Sequence, residues 1–173
     1  VTTLNRFPLL GLWAEEAARR LGYRRDEAES LGQGYAVLYA IRAARRPKPA
    51  EGHAGEPKPT PKPTEHVLFG GDRLDVIHDA AGHLRARVGG ERPQTPAGYR
   101  ASVQAKFPPG YYDRLRDAFR RLLKTYPPKA LRGRAVYTVY DQWKKQCGVG
   151  RSVDLDCLVQ WCEENAASRM AGA

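Results

Sequence analysis

The strongest constraint on the fold of this chain is a spacing. Tyr112, Leu115, Phe119, Leu122 and Tyr126 fall three, four, three and four positions apart. That pattern puts five side chains on one face of an α-helix, whereas a strand would alternate them between faces. The opposite face carries Arg116, Arg120 and Lys124 at one-turn intervals, with Arg114 and Arg121 on the flank. An amphipathic helix over 111–126 is therefore expected, with its apolar stripe in a core and its basic side outward.

The rest of the chain is organised around similar patterns. Residues 1–46 read as a helical hairpin. Leu9, Leu10, Trp13, Ala17 and Leu21 share one face, Pro8 is tolerated in a first turn, and Gly22 supplies the stop. Asp26 is placed to cap a second helix with Ala28, Leu31, Tyr35, Leu38 and Arg42 on one stripe, ending in Arg45–Arg46. Gly32 and Gly34 each weaken that helix by about 1 kcal/mol relative to Ala, a cost that close approach to the first helix would justify. Residues 47–64 hold six prolines and no large apolar residue, the composition of a proline- and lysine-rich linker or insertion.

From 65 to 166 a β-hairpin and further helices follow. Val67–Phe69 reads as a short strand. Leu74–His78 and His83–Val88 read as paired strands around Asp79–Gly82, with Gly82 at positive φ and Arg85 and Arg87 turned outward, until Gly89–Gly90 and Pro93 end the second strand. Thr95–Pro96 opens a helix to about Lys106 that buries Tyr99 and Val103, and Phe107–Gly110 breaks it. After 111–126, Pro127–Pro128 opens a helix from Lys129 to about Lys145. Ser152 or Asp154 caps the last helix, and residues 167–173 form a flexible tail. The fold class is mainly α, about five helices with one small β-hairpin, in a single compact domain carrying the insertion.

The chain has 173 residues and 42% hydrophobic content, enough for a core of its own. It has no apolar run long enough to span a membrane, and its first residues lack a secretory pattern, so no membrane partner and a cytoplasmic setting are expected. The three cysteines, Cys147, Cys157 and Cys162, are odd in number and spaced by ten and five. That spacing argues against a disulfide framework and against zinc, and for reduced, small, buried residues on the last helix.

The net charge of +10 is unevenly placed. Residues 100–151 hold 13 basic and 3 acidic side chains, and the rest of the chain is nearly balanced. Such a face suits phosphate-backbone contact, through Arg114, Arg116, Arg120, Arg121, Lys124, Arg132, Arg134, Lys144 and Lys145. Arginine preference adds little, because Arg outnumbers Lys 21 to 8 throughout; the clustering carries the argument. Nucleic acid, DNA before RNA, is the expected partner, and an acidic protein docking on a non-enzymatic adaptor is the alternative.

Catalytic signatures are scarce. No phosphate-cradling glycine loop, HExxH or nucleophile elbow occurs, and no cofactor is expected. Glu15–Glu16 and Glu163–Glu164 are adjacent on helices and are expected to diverge into solvent. The best metal arrangement would set His78 opposite His83 across the hairpin, with Asp75 or Asp79 as a third ligand.

The segments FPLLGLWAE (7–15), RLGY (20–23) and AESLG (28–32) resemble a family of small bacterial proteins of unknown function that opens FPLLxLWA…RLG…EALxLG. Residues 99–107, 115–128 and 135–143 are similar to its second half. The resemblance implies a bacterial origin and a compact, mostly helical domain, and it brings no site residues. The insertion at 47–64 departs from the family pattern.

Overall fold

The computed structural model describes residues 1–44, 65–87 and 96–172. The proline-rich segment 47–64, the Arg45–Arg46 tail, the Gly89–Pro93 stop, the Thr95 cap and the Tyr99 side chain lie outside the described residues. The described chain is mainly helical, with helices α1 (Arg6–Arg20), α2 (Arg25–Ala44), α3 (Pro96–Lys106), α4 (Tyr111–Leu123), α5 (Pro128–Arg132), α6 (Ala135–Cys147) and α7 (Leu155–Ala171). Strands β2 (His66–Phe69), β3 (Asp72–His78) and β4 (Leu84–Ala86) form one antiparallel sheet. Strands β1 (Thr3–Asn5), β6 (Ser152–Asp154) and β5 (Gly148–Val149) form another, in that order. Among the described residues, seven helices and two three-stranded sheets thus stand where about five helices and a single hairpin were expected from sequence.

α1 is the centre of the molecule. Pro8 to Ala18 is buried on every side, because α2, α4 and α6 all pack against this helix. Trp13 is fully buried, sets its ring edge-on to Phe119 at 5.2 Å and donates from its indole nitrogen to the Val136 carbonyl at 2.9 Å. Leu115, Phe119 and Leu122 of α4 are fully buried against it, each contributing about 2 kcal/mol by leaving water. The stripe read in the sequence is therefore the face that α4 turns to the core. Gly32 explains how α1 and α2 approach: a Cβ there would lie 2.7 Å from the Glu15 backbone nitrogen and 2.9 Å from the Gly11 carbonyl oxygen.

The structure departs from the sequence pattern at α2, at β4 and over 129–145. Asp26 does not cap α2. The free N–H of Arg24 is taken by the Glu27 carboxylate at 3.3 Å, the return half of a capping box, which releases Asp26 to hold Arg85. Arg85 is buried rather than outward, in ion pairs with Asp26 (3.2 Å) and Asp79 (3.1 Å). The helix expected over 129–145 is two helices. The carbonyls of Leu131 and Arg132 accept from the amides of Gly70 (3.2 Å) and Gly71 (3.0 Å), so they leave the helical ladder and the chain turns at Gly133.

At the C-terminal end, Asp154 caps α7 by accepting from Asp156 and Cys157 amides. The segment read as a flexible tail is helical as far as Ala171. Arg169 holds it down, lying 3.7 Å over the Tyr126 ring and donating to the Thr125 hydroxyl at 2.9 Å. Cys147 and Cys157 are joined in a disulfide, and Cys162 is free and buried. The disulfide ties the end of α6 to the first turn of α7 around the β5–β6 turn, and removes the free-thiol argument for a cytoplasmic setting.

Candidate functional site

The nine cations expected to form one face divide into two groups. Five have acidic neighbours: Arg114 lies 3.8 Å from Asp156, Arg116 3.0 Å from Asp113, Arg120 2.7 Å from Glu16, Arg121 3.7 Å from Glu163, and Lys144 3.4 Å from Asp141. Lys124, Arg132, Arg134 and Lys145 have no carboxylate within 4.0 Å among the described residues. Three partners, Glu16, Asp156 and Glu163, come from α1 and α7, so other elements of the fold offset three of the nine charges.

Two of the nine, Arg134 and Lys144, stand beside an aromatic group between α2 and α6. A cleft of about 410 Å³ opens there, walled by Tyr35, Tyr39 and Arg42 of α2, the Gly70–Gly71 turn, Arg134 and Tyr137. Gly70 and Gly71 both have positive φ, 61° and 82°, a conformation natural to glycine. Their missing side chains leave room for the Tyr35 ring and the Arg134 stem, each under 3 Å from where a Cβ would stand. Tyr39 and Tyr137 are half-buried, with ring centroids 6.0 Å apart. The Arg134 guanidinium lies 5.9 Å from the Tyr137 centroid, and Lys144 donates to the Tyr39 hydroxyl at 3.1 Å. Arg42 is held by Asp72 at 2.6 Å.

A second cavity, of about 270 Å³, lies between α1, the start of α2 and α4, and its lining is almost wholly polar. Glu15 and Glu16 reach it from α1, Arg25 from α2, and Tyr112, Arg116 and Arg120 from α4. The expectation that Glu15 and Glu16 are solvated fails: they are 7% and 2% exposed, because α1 is covered on all sides. Arg120 grips Glu16 with two donors, at 2.7 and 3.4 Å. Glu29 of α2, 2% exposed, accepts from Arg100 at 2.7 Å, while its second oxygen is buried without a partner. Glu15 has no hydrogen-bond or ion-pair partner among the described residues. Burial, with the nearby Glu29 and Glu16 charges adding to it, pushes its carboxyl up to about 8, so at neutral pH it holds a proton.

Residues 7–18 carry no charge except Glu15 and Glu16. A helix apolar on all sides is a central helix, and that was the available signal that both carboxylates would be enclosed. Tyr39 and Tyr137 had no comparable signal, since their meeting depends on the packing of α2 against α6.

The histidine arrangement does not assemble. The register pairs His78 with Leu84, placing His83 opposite Asp79. His78 faces Glu65 at 3.5 Å and His83 faces Asp26 at 2.7 Å. Among the described residues, no group of three or more metal-ligating side chains forms.

These features define a mainly α protein with two small antiparallel sheets, an aromatic and basic cleft, and a separate enclosed cluster of carboxylates and arginines. No helix among the described residues is long and apolar enough to cross a membrane. The chain matches no protein-family model, no curated protein and no solved structure.

Proposed function

We propose that this protein binds nucleic acid, holding a nucleotide in the α2–α6 cleft with its base on Tyr39 and Tyr137 and its phosphate on Arg134. The observation that carries this reading is the meeting of two half-buried tyrosines with Arg134 at one opening, Lys144 standing behind it on the Tyr39 hydroxyl. Aromatic rings accept any base face, at about 1–3 kcal/mol per stacked base, and a guanidinium pairs bidentately with phosphate oxygens. Because stacking needs an unpaired base, the cleft favours a single strand over a duplex. Lys145 and Arg132, with no carboxylate within 4.0 Å among the described residues, are further cations available to phosphates, while Arg120, bound to the buried Glu16, contributes least. The likeness to small bacterial proteins would place this activity in a bacterium and adds nothing to the choice of ligand.

The test is fluorescence anisotropy with labelled single-stranded DNA, single-stranded RNA and duplex at about 50 mM salt, where counterion release favours binding most. Single strands should bind more tightly than duplex, and affinity should fall as salt rises. Tyr137→Ala and Arg134→Gln should each weaken binding about tenfold, equivalent to about 1.4 kcal/mol. Absence of binding to all three probes refutes the proposal. If an acidic protein were then recovered after nuclease treatment, the adaptor reading would take its place. Charge reversal at Arg120 is an unsuitable probe, because it would strand the buried Glu16 carboxylate and test folding instead.

A further inference from the structure

We infer that the cavity between α1, α2 and α4 is a binding site for a small tetrahedral oxyanion, a phosphate or a compact phosphate ester, held by Arg19, Arg25 and Arg116 with Glu15 at its floor. The site is separate from the α2–α6 cleft and shares no lining residue with it.

The charges select the ligand. Of the carboxylates at or behind the cavity, Glu16 is neutralised by two hydrogen bonds from Arg120, and Glu29 by Arg100. Arg25 touches the same Glu29 oxygen at only 3.6 Å from a side chain that is 54% exposed, so its remaining donors are uncommitted. Arg116 faces Asp113 and Asp117, both half exposed or more, where water screens the pairing. Arg19 lines the cavity and has no carboxylate within 4.0 Å among the described residues. Uncommitted guanidinium donors therefore outnumber uncommitted anions, which excludes a cationic ligand.

The donors also arrive from three different helices, Arg19 from α1, Arg25 from α2 and Arg116 from α4. A phosphate or phosphate ester carries several charged oxygens, enough to give an acceptor to a guanidinium from each of the three helices. At about 270 Å³ the space admits such a group with a small organic remainder.

Glu15 makes the site conditional. It is 7% exposed, lines the cavity and has no hydrogen-bond or ion-pair partner among the described residues, so as a neutral acid it can donate its proton to a bound anion, and once ionised it repels one. Charged and titratable groups face it from α1, α2, α3 and α4. Glu16 and Glu29 are paired as described, the arginines of α1, α2, α3 and α4 remain cationic, and burial holds the Tyr112 phenol above its ordinary range. With the Glu15 carboxyl pushed up to about 8, binding that requires its proton weakens about tenfold between about pH 7 and pH 9.

The experiment is calorimetric titration of the full chain with sodium sulfate, whose charge is constant over this range, against sodium chloride at equal ionic strength. Saturable binding is expected at pH 7, about tenfold weaker at pH 9, with inorganic phosphate competing for the same site. Glu15→Gln, which keeps a neutral donor, should bind equally at both pH values, and Arg19→Gln should bind more weakly at both. No saturable binding by the wild-type protein at pH 7, an unchanged affinity at pH 9, or the same pH dependence in Glu15→Gln overturns the inference. The wild-type measurements decide the matter even if a variant fails to fold.

Discussion

Glu15 should make the protein less stable as pH rises through neutrality, and the size of that effect follows from its burial. In the unfolded chain its carboxyl ionises at about 4.5, whereas in the folded protein burial beside Glu29 and Glu16 delays ionisation to about 8. Between those two values the folded state keeps a proton that the unfolded state has released. Stability from this residue is therefore fully present below about pH 4.5 and is lost as pH rises toward 8, at about 1.4 kcal/mol per pH unit. By pH 7 the loss amounts to about 3 kcal/mol, a large part of the stability of a single domain. Glu15→Gln keeps the shape and the neutral charge at every pH, so it removes the loss. Urea unfolding of both proteins at pH 4.5 and pH 7 should show the variant gaining about 3 kcal/mol on the wild type between the two conditions. In thermal melts the same gain is about 6–12 °C in Tm for a chain of this size. Parallel pH profiles for the two proteins would falsify the burial argument.

Other perturbations test different parts of the fold. Gly32→Ala gains helix propensity yet drives a methyl to 2.7 Å from the backbone of α1; a net destabilisation of about 1–3 kcal/mol is expected, and an unchanged Tm would mean the two helices are not in contact there. Arg120→Ala leaves Glu16 buried without its partner and should cost about 3–5 kcal/mol. Arg121→Ala, which loses only an exposed 3.7 Å pair with Glu163, should cost under about 1 kcal/mol, so equal effects in denaturant melts would refute the distinction. Replacing Cys147 and Cys157 together by Ser opens a link across ten positions and should lower stability by about 2–3 kcal/mol, with reductant having no further effect on the variant.

The parts of the fold that were legible in the sequence are those that short-range physics decides. Leu115, Phe119 and Leu122 of the stripe named the buried face of α4, which ends at Leu123, short of Tyr126; Pro127 and Gly22 marked helix ends, Gly32 marked a close approach, and Gly82 adopts the positive φ its turn requires. What could not be read depends on partners far along the chain. The α5–α6 break is caused by amide donors at Gly70 and Gly71. β1 exists because Thr3–Asn5 meets Ser152–Asp154, and a three-residue strand has no periodicity to announce it. The cysteine spacing fits no motif and becomes a link only because α6 and α7 are brought end to end. The basic stretch looked less compensated than it is because three of its carboxylate partners sit on α1 and α7.

The pair of hydrogen bonds from Gly70 and Gly71 to the end of α5 has a further consequence. Those two amides belong to one wall of the aromatic cleft and their acceptors, Leu131 and Arg132, lie three and two positions before Arg134 in the other, so both bonds must break before the walls can separate. Their deuterium uptake is therefore an internal gauge of that wall's integrity. An occupant bridging Tyr39 and Arg134 would slow exchange at these two glycines first, at positions it need not touch.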